Sequence, residues 1–273
     1  MALSLVIALF AFNATISYLA DYERKDNVVT IGDVKIEIDE GKYEDSSTVA
    51  AGSTLPKAPS IKNTGINDTY VFFKVAIPKK EVTLLYEETT KDTNNVKHKE
   101  GTKYAGMPKE AELFKTIAEG TSAAKVSTAG YNNAGADLSA PDVIVGYNKG
   151  NGSNVGWVYL GSSQNQTIDT KKYDVYYFGY NKKLTPKPAN APNTDTSPQD
   201  YWTTTLFDQI QLKSFIDEEL IPANQDKQDV DVKVLVDAYG IQADNLGITL
   251  PDGILSDDDV KSVFEIVQRK GVS

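Results

Sequence analysis

Thr69-Tyr70-Val71-Phe72-Phe73-Lys74-Val75-Ala76-Ile77 is apolar at nearly every position, with Lys74 as its main interruption. Aromatic and β-branched residues at both parities predict a strand covered on both faces, hence one in the middle of a sheet. Pro78 lacks the N–H that a ladder uses, which predicts the strand's end there. Flanking segments read differently. In Asp33-Val34-Lys35-Ile36-Glu37-Ile38-Asp39 the apolar residues alternate with charged ones, giving a strand with one wet face. Val155–Leu160, Tyr173–Tyr180 and Asp229–Tyr239 add three more strands, the last alternating Val230, Val232, Val234 and Val236 against polar or bulky neighbours. Strands separated by turn-rich segments, without a regular strand–helix alternation, predict an all-β antiparallel sandwich with minor helices.

Two helices are expected. Pro108–Glu119 places Ala111, Leu113, Phe114, Ile117 and Ala118 at helical spacing. Ser256-Asp257-Asp258-Asp259 opens a run holding Val260, Val263, Phe264 and Val267, and Ser256 with Asp259 forms a capping box whose acidic first turn suits the helix dipole. Those aspartates lack the spacing of a calcium-binding EF-hand loop. Phe207–Glu219 fits a strand or a helix equally. Residues 88–152, low in β-branched core pattern, read as an inserted region, and 184–199, with Pro186, Pro188, Pro192 and Pro198, as an extended polar loop.

Composition removes several kinds of chemistry. The 273 residues contain no cysteine, so neither a disulfide framework nor a thiolate metal site exists. The one histidine, His98, stands between Lys97 and Lys99 in a polar stretch and reads as a solvated imidazole. Zinc is left with carboxylates only, and a Ser-His-Asp arrangement would have to use that loop imidazole as its base. No catalytic residue, metal ligand or cofactor is therefore assigned, and the chain is not expected to be an enzyme. A formal charge of -10 argues against a nucleic-acid partner, which calls for a basic footprint.

Leu3 to Phe12 form one apolar block, and extension to Ile16 still falls short of the ~20 residues that span a bilayer. Thr15 and Ser17 then supply small residues at a spacing of two. This predicts a signal peptide over 1–17, cleaved between Ser17 and Tyr18, with contact to the membrane only before cleavage. A buried N-terminal helix is the alternative. Residues 18–273 would then form a single domain.

Four pieces of the chain together resemble the TasA/camelysin-like family of secreted proteins with a SipW-type signal peptide. They are the junction Ala14-Thr15-Ile16-Ser17-Tyr18-Leu19-Ala20-Asp21, the segment Asn27–Glu40, the run Pro59–Val75 with Asn63-Thr64-Gly65 leading into a strand, and a C-terminal set comprising Tyr176–Tyr180, Thr203–Asp208 and Ala238–Asp244. The resemblance implies a jelly-roll sandwich, cleavage by a dedicated signal peptidase, and an extracellular place at the cell surface or in a biofilm matrix. It also implies a homopolymer in which each copy donates an N-terminal strand to the next. On this chain that arm is Tyr18 to Ile31, with Tyr18, Leu19, Val28, Val29 and Ile31 as its apolar residues. The same arm read alone is equally an ordinary first strand of its own subunit. Two other functions stay open: a monomeric binding module for a glycan or protein, using Trp157 and Tyr159 as stacking surfaces, and a camelysin-type metallopeptidase, for which the nitrogen and sulfur ligands are wanting.

Overall fold

The computed structural model describes residues 28–31, 34–40, 54–82, 88–91, 97–100, 109–119, 146–191, 197–212, 233–244 and 246–270. In chain order these form β1 (Val28–Ile31), β2 (Ile36–Asp39), β3 (Thr54–Pro56), β4 (Ser60–Asn63), β5 (Thr69–Val82), β6 (Glu88–Lys91) and β7 (Lys97–Glu100). Next come β8 (Lys109–Glu112), β9 (Phe114–Ile117), β10 (Trp157–Ile168), β11 (Lys171–Tyr180), β12 (Gln209–Leu212), β13 (Leu235–Gln242) and one helix, α1 (Asp257–Arg269). The fold is an all-β sandwich.

β5 is the central strand. It pairs antiparallel with β13 on one side and β11 on the other, β10 lies beyond β11, and β1 lies beyond β13. Alternation along β5 sorts its side chains into two cores. Val71, Phe73, Val75 and Ile77 face inward with Trp157, Tyr176 and Phe178. Opposing them are Ile36 of β2, Ile61 of β4, Phe114 of β9 and Ile210 of β12. These belong to the pair β2-β4 and the three-stranded β3-β12-β9, which make the second layer. Aromatic rings fill the inner seam, Phe73 against Trp157 at 4.8 Å between centroids and Trp157 against Tyr180 at 5.1 Å. Fully burying one such ring stabilises the fold by about 1.5–3 kcal/mol.

Tyr70 and Phe72 point the other way, onto α1, where Phe72 meets Phe264 at 5.4 Å. The helix starts as its sequence requires. The Ser256 hydroxyl accepts from the Asp259 N–H while the Asp259 carboxylate accepts from the Ser256 N–H, and Val260, Val263, Phe264, Ile266 and Val267 are buried. Docking so close depends on Gly179, because a Cβ there would stand 2.4 Å from Val260 Cγ1 and 3.0 Å from the Phe72 ring.

Two expectations are corrected. The first is the end of the central strand, for β5 runs through Pro78 to Val82. Pro78 lies where β5 changes partners: β13 leaves it at Ala76, and β8 joins at Lys79 on the same side, since Lys172 of β11 already occupies the other. The missing N–H is therefore not required at that point, while the Pro78 carbonyl still accepts from the Leu113 N–H at 2.9 Å. The second is the helix over Pro108–Glu119, which is instead β8 and β9, split at Leu113. Glu112, Leu113, Phe114, Thr116 and Ile117 are all buried, so the helical spacing of the apolar residues marked no single wet face. Pairing of β9 with β12 decides the conformation. Phe207–Glu219 resolves as β12 in its described part, and the Asp229–Tyr239 strand as β13, with 229–232 outside the described residues. Within 88–152, β8 joins the large sheet and β9 the three-stranded one.

Gly179→Ala should force α1 away from the sheet and destabilise the fold by about 1–3 kcal/mol in urea denaturation. Val260→Ala placed in the same chain should return part of that loss. An unchanged midpoint for Gly179→Ala alone would contradict the close docking.

Candidate functional site at the N-terminal strand edge

Val28, Val29 and Ile31, three of the predicted arm residues, lie in β1. It pairs with β13 in parallel, Val28 opposite Ala238, Val29 opposite Tyr239 and Ile31 opposite Ile241. The other four pairings of the large sheet are antiparallel. β1 is an outer strand on the described path of that sheet, joined to its neighbour across more than two hundred residues of chain and not by a hairpin. Ser17, Tyr18 and Leu19, which carry the predicted cleavage site and the rest of the arm, lie outside the described residues.

From Val34 onward the chain is fastened down. Val34 and Ile36 press on Gly240 of β13, where a Cβ would meet Val34 Cγ1 at 3.1 Å and Ile36 Cδ1 at 3.2 Å. The Lys35 carbonyl accepts from the Thr64 N–H at 2.9 Å, and β2 pairs with β4 from Ile36 opposite Asn63. Gly65 lets the two segments touch, since a Cβ on it would lie 2.9 Å from the Lys35 nitrogen. Asn63, fully buried, holds this turn together. Its Nδ2 donates to the carbonyls of Asn67 and Leu184, and its Oδ1 accepts from the Gly65 N–H at 3.0 Å. Asn63-Thr64-Gly65 is thus the clasp that receives the chain as it leaves β1.

β13, the strand that β1 pairs with, presents Tyr239 toward Asp237 and Tyr177. Burial, then the Asp237 carboxylate, push the Tyr239 hydroxyl far above its ordinary range, so it stays a neutral donor at any physiological pH. Lys74 and Asp237, 4.0 Å apart, form a polar step on this outer face between the α1 core and a smaller cluster of Ala76, Tyr173, Val175 and Leu235.

A second polar group lies at the far end of the inner face. Tyr176 donates to the buried Glu112 carboxylate, and its own hydroxyl is pushed strongly up by burial and then by Glu112. Beside it, Asp174, 5% exposed, accepts from the Asn165 N–H at 2.8 Å and sits 3.2 Å from the Lys79 Nζ. Lys79 Nζ in turn donates to Asn165 Oδ1 at 2.8 Å. Sequence reading missed this trio. Positions 79, 165 and 174 share no spacing, and only strand register and a bulge bring them together.

Trp157 is fully buried and cannot serve as a stacking platform for a ligand, and Tyr159 is half-buried against Phe178 at 5.8 Å. His98 lies in β7, opposite Thr90. Among the described residues no group of three or more His, Cys, Asp or Glu could hold a metal ion, and no helix is long and apolar enough to cross a membrane. Comparison with family models, curated proteins and solved structures returned no match.

Asn63→Ala should cost about 1–3 kcal/mol, because the Asn67 and Leu184 carbonyls each keep only the donor from Thr69 and the Gly65 N–H loses its acceptor. Chemical denaturation measures the loss, and amide exchange should accelerate at Lys35–Ile38 before it does in β5.

Proposed function

We propose that the chain is a secreted structural subunit that polymerises into extracellular or biofilm-matrix fibres, each copy donating its N-terminal strand to the next within a jelly-roll scaffold. The supporting observation is the pairing of β1 with β13. It is a strand of four residues added in parallel to a sheet edge, with no hairpin to bind it to its neighbour. Without β1, the outer backbone groups of Ala238–Ile241 would lose their partners, and an unpaired edge recruits an added strand.

The same seat can be filled by the strand of its own chain or by that of another copy, with the same ladder in both. Only Gly32 and Asp33 separate Ile31 from the fastened Val34, and glycine permits a change of path at little cost. Exchange of an identical element is an inexpensive route to association, and a donor at one place with an acceptor at another is a heterologous contact that need not close. Such contacts extend into filaments. Before cleavage at Ser17-Tyr18, the apolar block Leu3–Phe12 would hold the arm in the membrane, so signal peptidase would release both the subunit and its capacity to assemble.

A chain beginning at Tyr18 should form high-mass fibres at rising concentration, seen by light scattering and negative-stain electron microscopy. Deletion of residues 18–31 should leave soluble monomers, and Val29→Pro combined with Thr30→Pro, which removes a ladder donor because adjacent N–H groups point to opposite sides of a strand, should raise the concentration required about tenfold or more. Fibres from the deletion variant, or a persistent monomer from the intact arm, would overturn the proposal.

A further inference from the structure

Lys79, Asn165 and Asp174 come from three adjacent strands and meet at the end of the inner face. Lys79 Nζ lies 2.8 Å from the side-chain oxygen of Asn165. Asp174 holds both partners at once, one carboxylate oxygen 3.2 Å from Lys79 Nζ and the other accepting the Asn165 N–H at 2.8 Å. We infer that this is an autocatalytic cross-linking site, at which the Lys79 amine and the Asn165 side chain join in an intramolecular isopeptide bond, with Asp174 as the proton carrier.

The chemistry requires an amine, a carboxamide carbon and a proton acceptor within contact distance, and all three are present. Asp174 takes a proton from the Lys79 ammonium, and the neutral amine attacks Asn165 Cγ. A new Nζ–Cγ bond forms as Nζ gives up a second proton, the Cγ–Nδ2 bond breaks, and the departing nitrogen takes that proton together with the one carried by Asp174 and leaves as ammonium. Atoms and charge balance with no oxidant, reductant or activated reagent, and the chain ends with one positive charge fewer. An amine so close to the carboxamide has the advantage of an intramolecular reaction. Positioned proton transfer adds about 10²–10⁴-fold.

The local backbone is arranged around this encounter. The β10-β11 register shifts between Ser163 and Gln166, and Asn165 adopts φ 55, a left-handed conformation that asparagine tolerates better than most residues. A bulge of this kind re-aims a side chain, here across β11 toward Lys79 on β5. Lys79 is 12% exposed and Asp174 7% by side chain, whereas Asn165 is exposed. The amine and the carboxylate are therefore largely withdrawn from water, and ammonia has an open way out. The bond would tie the central strand to the outer strand β10 over the top of β11. In a chain without cysteine it supplies a covalent staple that needs no redox chemistry.

Intact-mass spectrometry of the purified, folded chain should read a mass below the sequence mass by one ammonia. Peptide mapping should yield a branched peptide joining the Lys79 and Asn165 segments. Lys79→Arg, which keeps the cation, and Asn165→Ala should each restore the mass expected from their own sequences. Asp174→Asn should leave the chain unlinked over the time in which the unaltered protein completes the reaction. Circular dichroism on each variant separates loss of the bond from loss of the fold. A full sequence mass with linear peptides at both positions in the folded chain would overturn the assignment. So would an ammonia loss that survives Lys79→Arg, since that would come from succinimide formation at the exposed Asn151-Gly152 turn.

Discussion

Burial of β5 on both faces is the constraint on which the rest of the structure depends. A strand with Val71, Phe73, Val75 and Ile77 on one side and Tyr70, Phe72 and Ala76 on the other cannot lie at a surface without exposing an apolar face. Its inner side calls for the second layer, supplied by β2-β4 and β3-β12-β9. Its outer side calls for a separate cover, which α1 provides over Phe72. The glycine at position 179 answers that demand, because a helix carrying Val260 reaches the sheet only where the opposing strand has no side chain. Both edges of β5 are also occupied. The change of partner at Ala76–Lys79 is what allows a proline inside the longest strand of the fold.

Much of this was legible in the sequence, and for stated reasons. A doubly apolar run and an alternating run differ in pattern because their burial differs, so the central position of Thr69–Ile77 and the half-wet character of Ile36–Asp39 could be read directly. The α1 start was legible because a capping box is a local interaction between Ser256 and Asp259. Errors arose where partners distant in sequence decide conformation. Residues 109–117 have helical spacing, yet the ladders to β5 and β12 determine their structure. Pro78 reads as a stop until its position at a partner change is known. The contacts of Asn63 with Leu184 and of Lys79 with Asn165 depend on register across the sheet, which no local pattern encodes.

Polar groups inside this fold act chiefly as fasteners of backbone. Asn63 joins the strand turn to the 184 region, and Asn181 does the same for the loop before β10, accepting from the Gly156 N–H and donating to the carbonyls of Asn151 and Asn154. Each buried asparagine satisfies several main-chain groups from separate segments, which makes it costly to replace although it contributes little apolar burial. Lys57 with Glu40 and Lys62 with Asp39 fasten the second layer similarly, and Lys62 also lies 3.7 Å above the Trp202 ring.

The two sides of the large sheet, β10 at one and β13 with its added strand β1 at the other, differ in a way that bears on assembly. β10 has register shifts between Tyr159 and Gly161 and between Ser163 and Gln166, left-handed backbone at Asn165, and an outer half of mostly exposed polar residues. Bulges and polar side chains blunt an edge against pairing with another sheet. β13, at the other side, is regular and apolar, and its outer ladder is completed by a four-residue strand. An added strand would therefore find a regular template beside β13 and an irregular one beside β10. Under the proposed strand donation, growth would proceed through the β13 edge alone, giving a fibre with distinct ends in place of the lateral stacking that two open edges would allow. A cross-link from Lys79 to Asn165 would add to that asymmetry by fixing the bulge of the blunt edge covalently to the central strand.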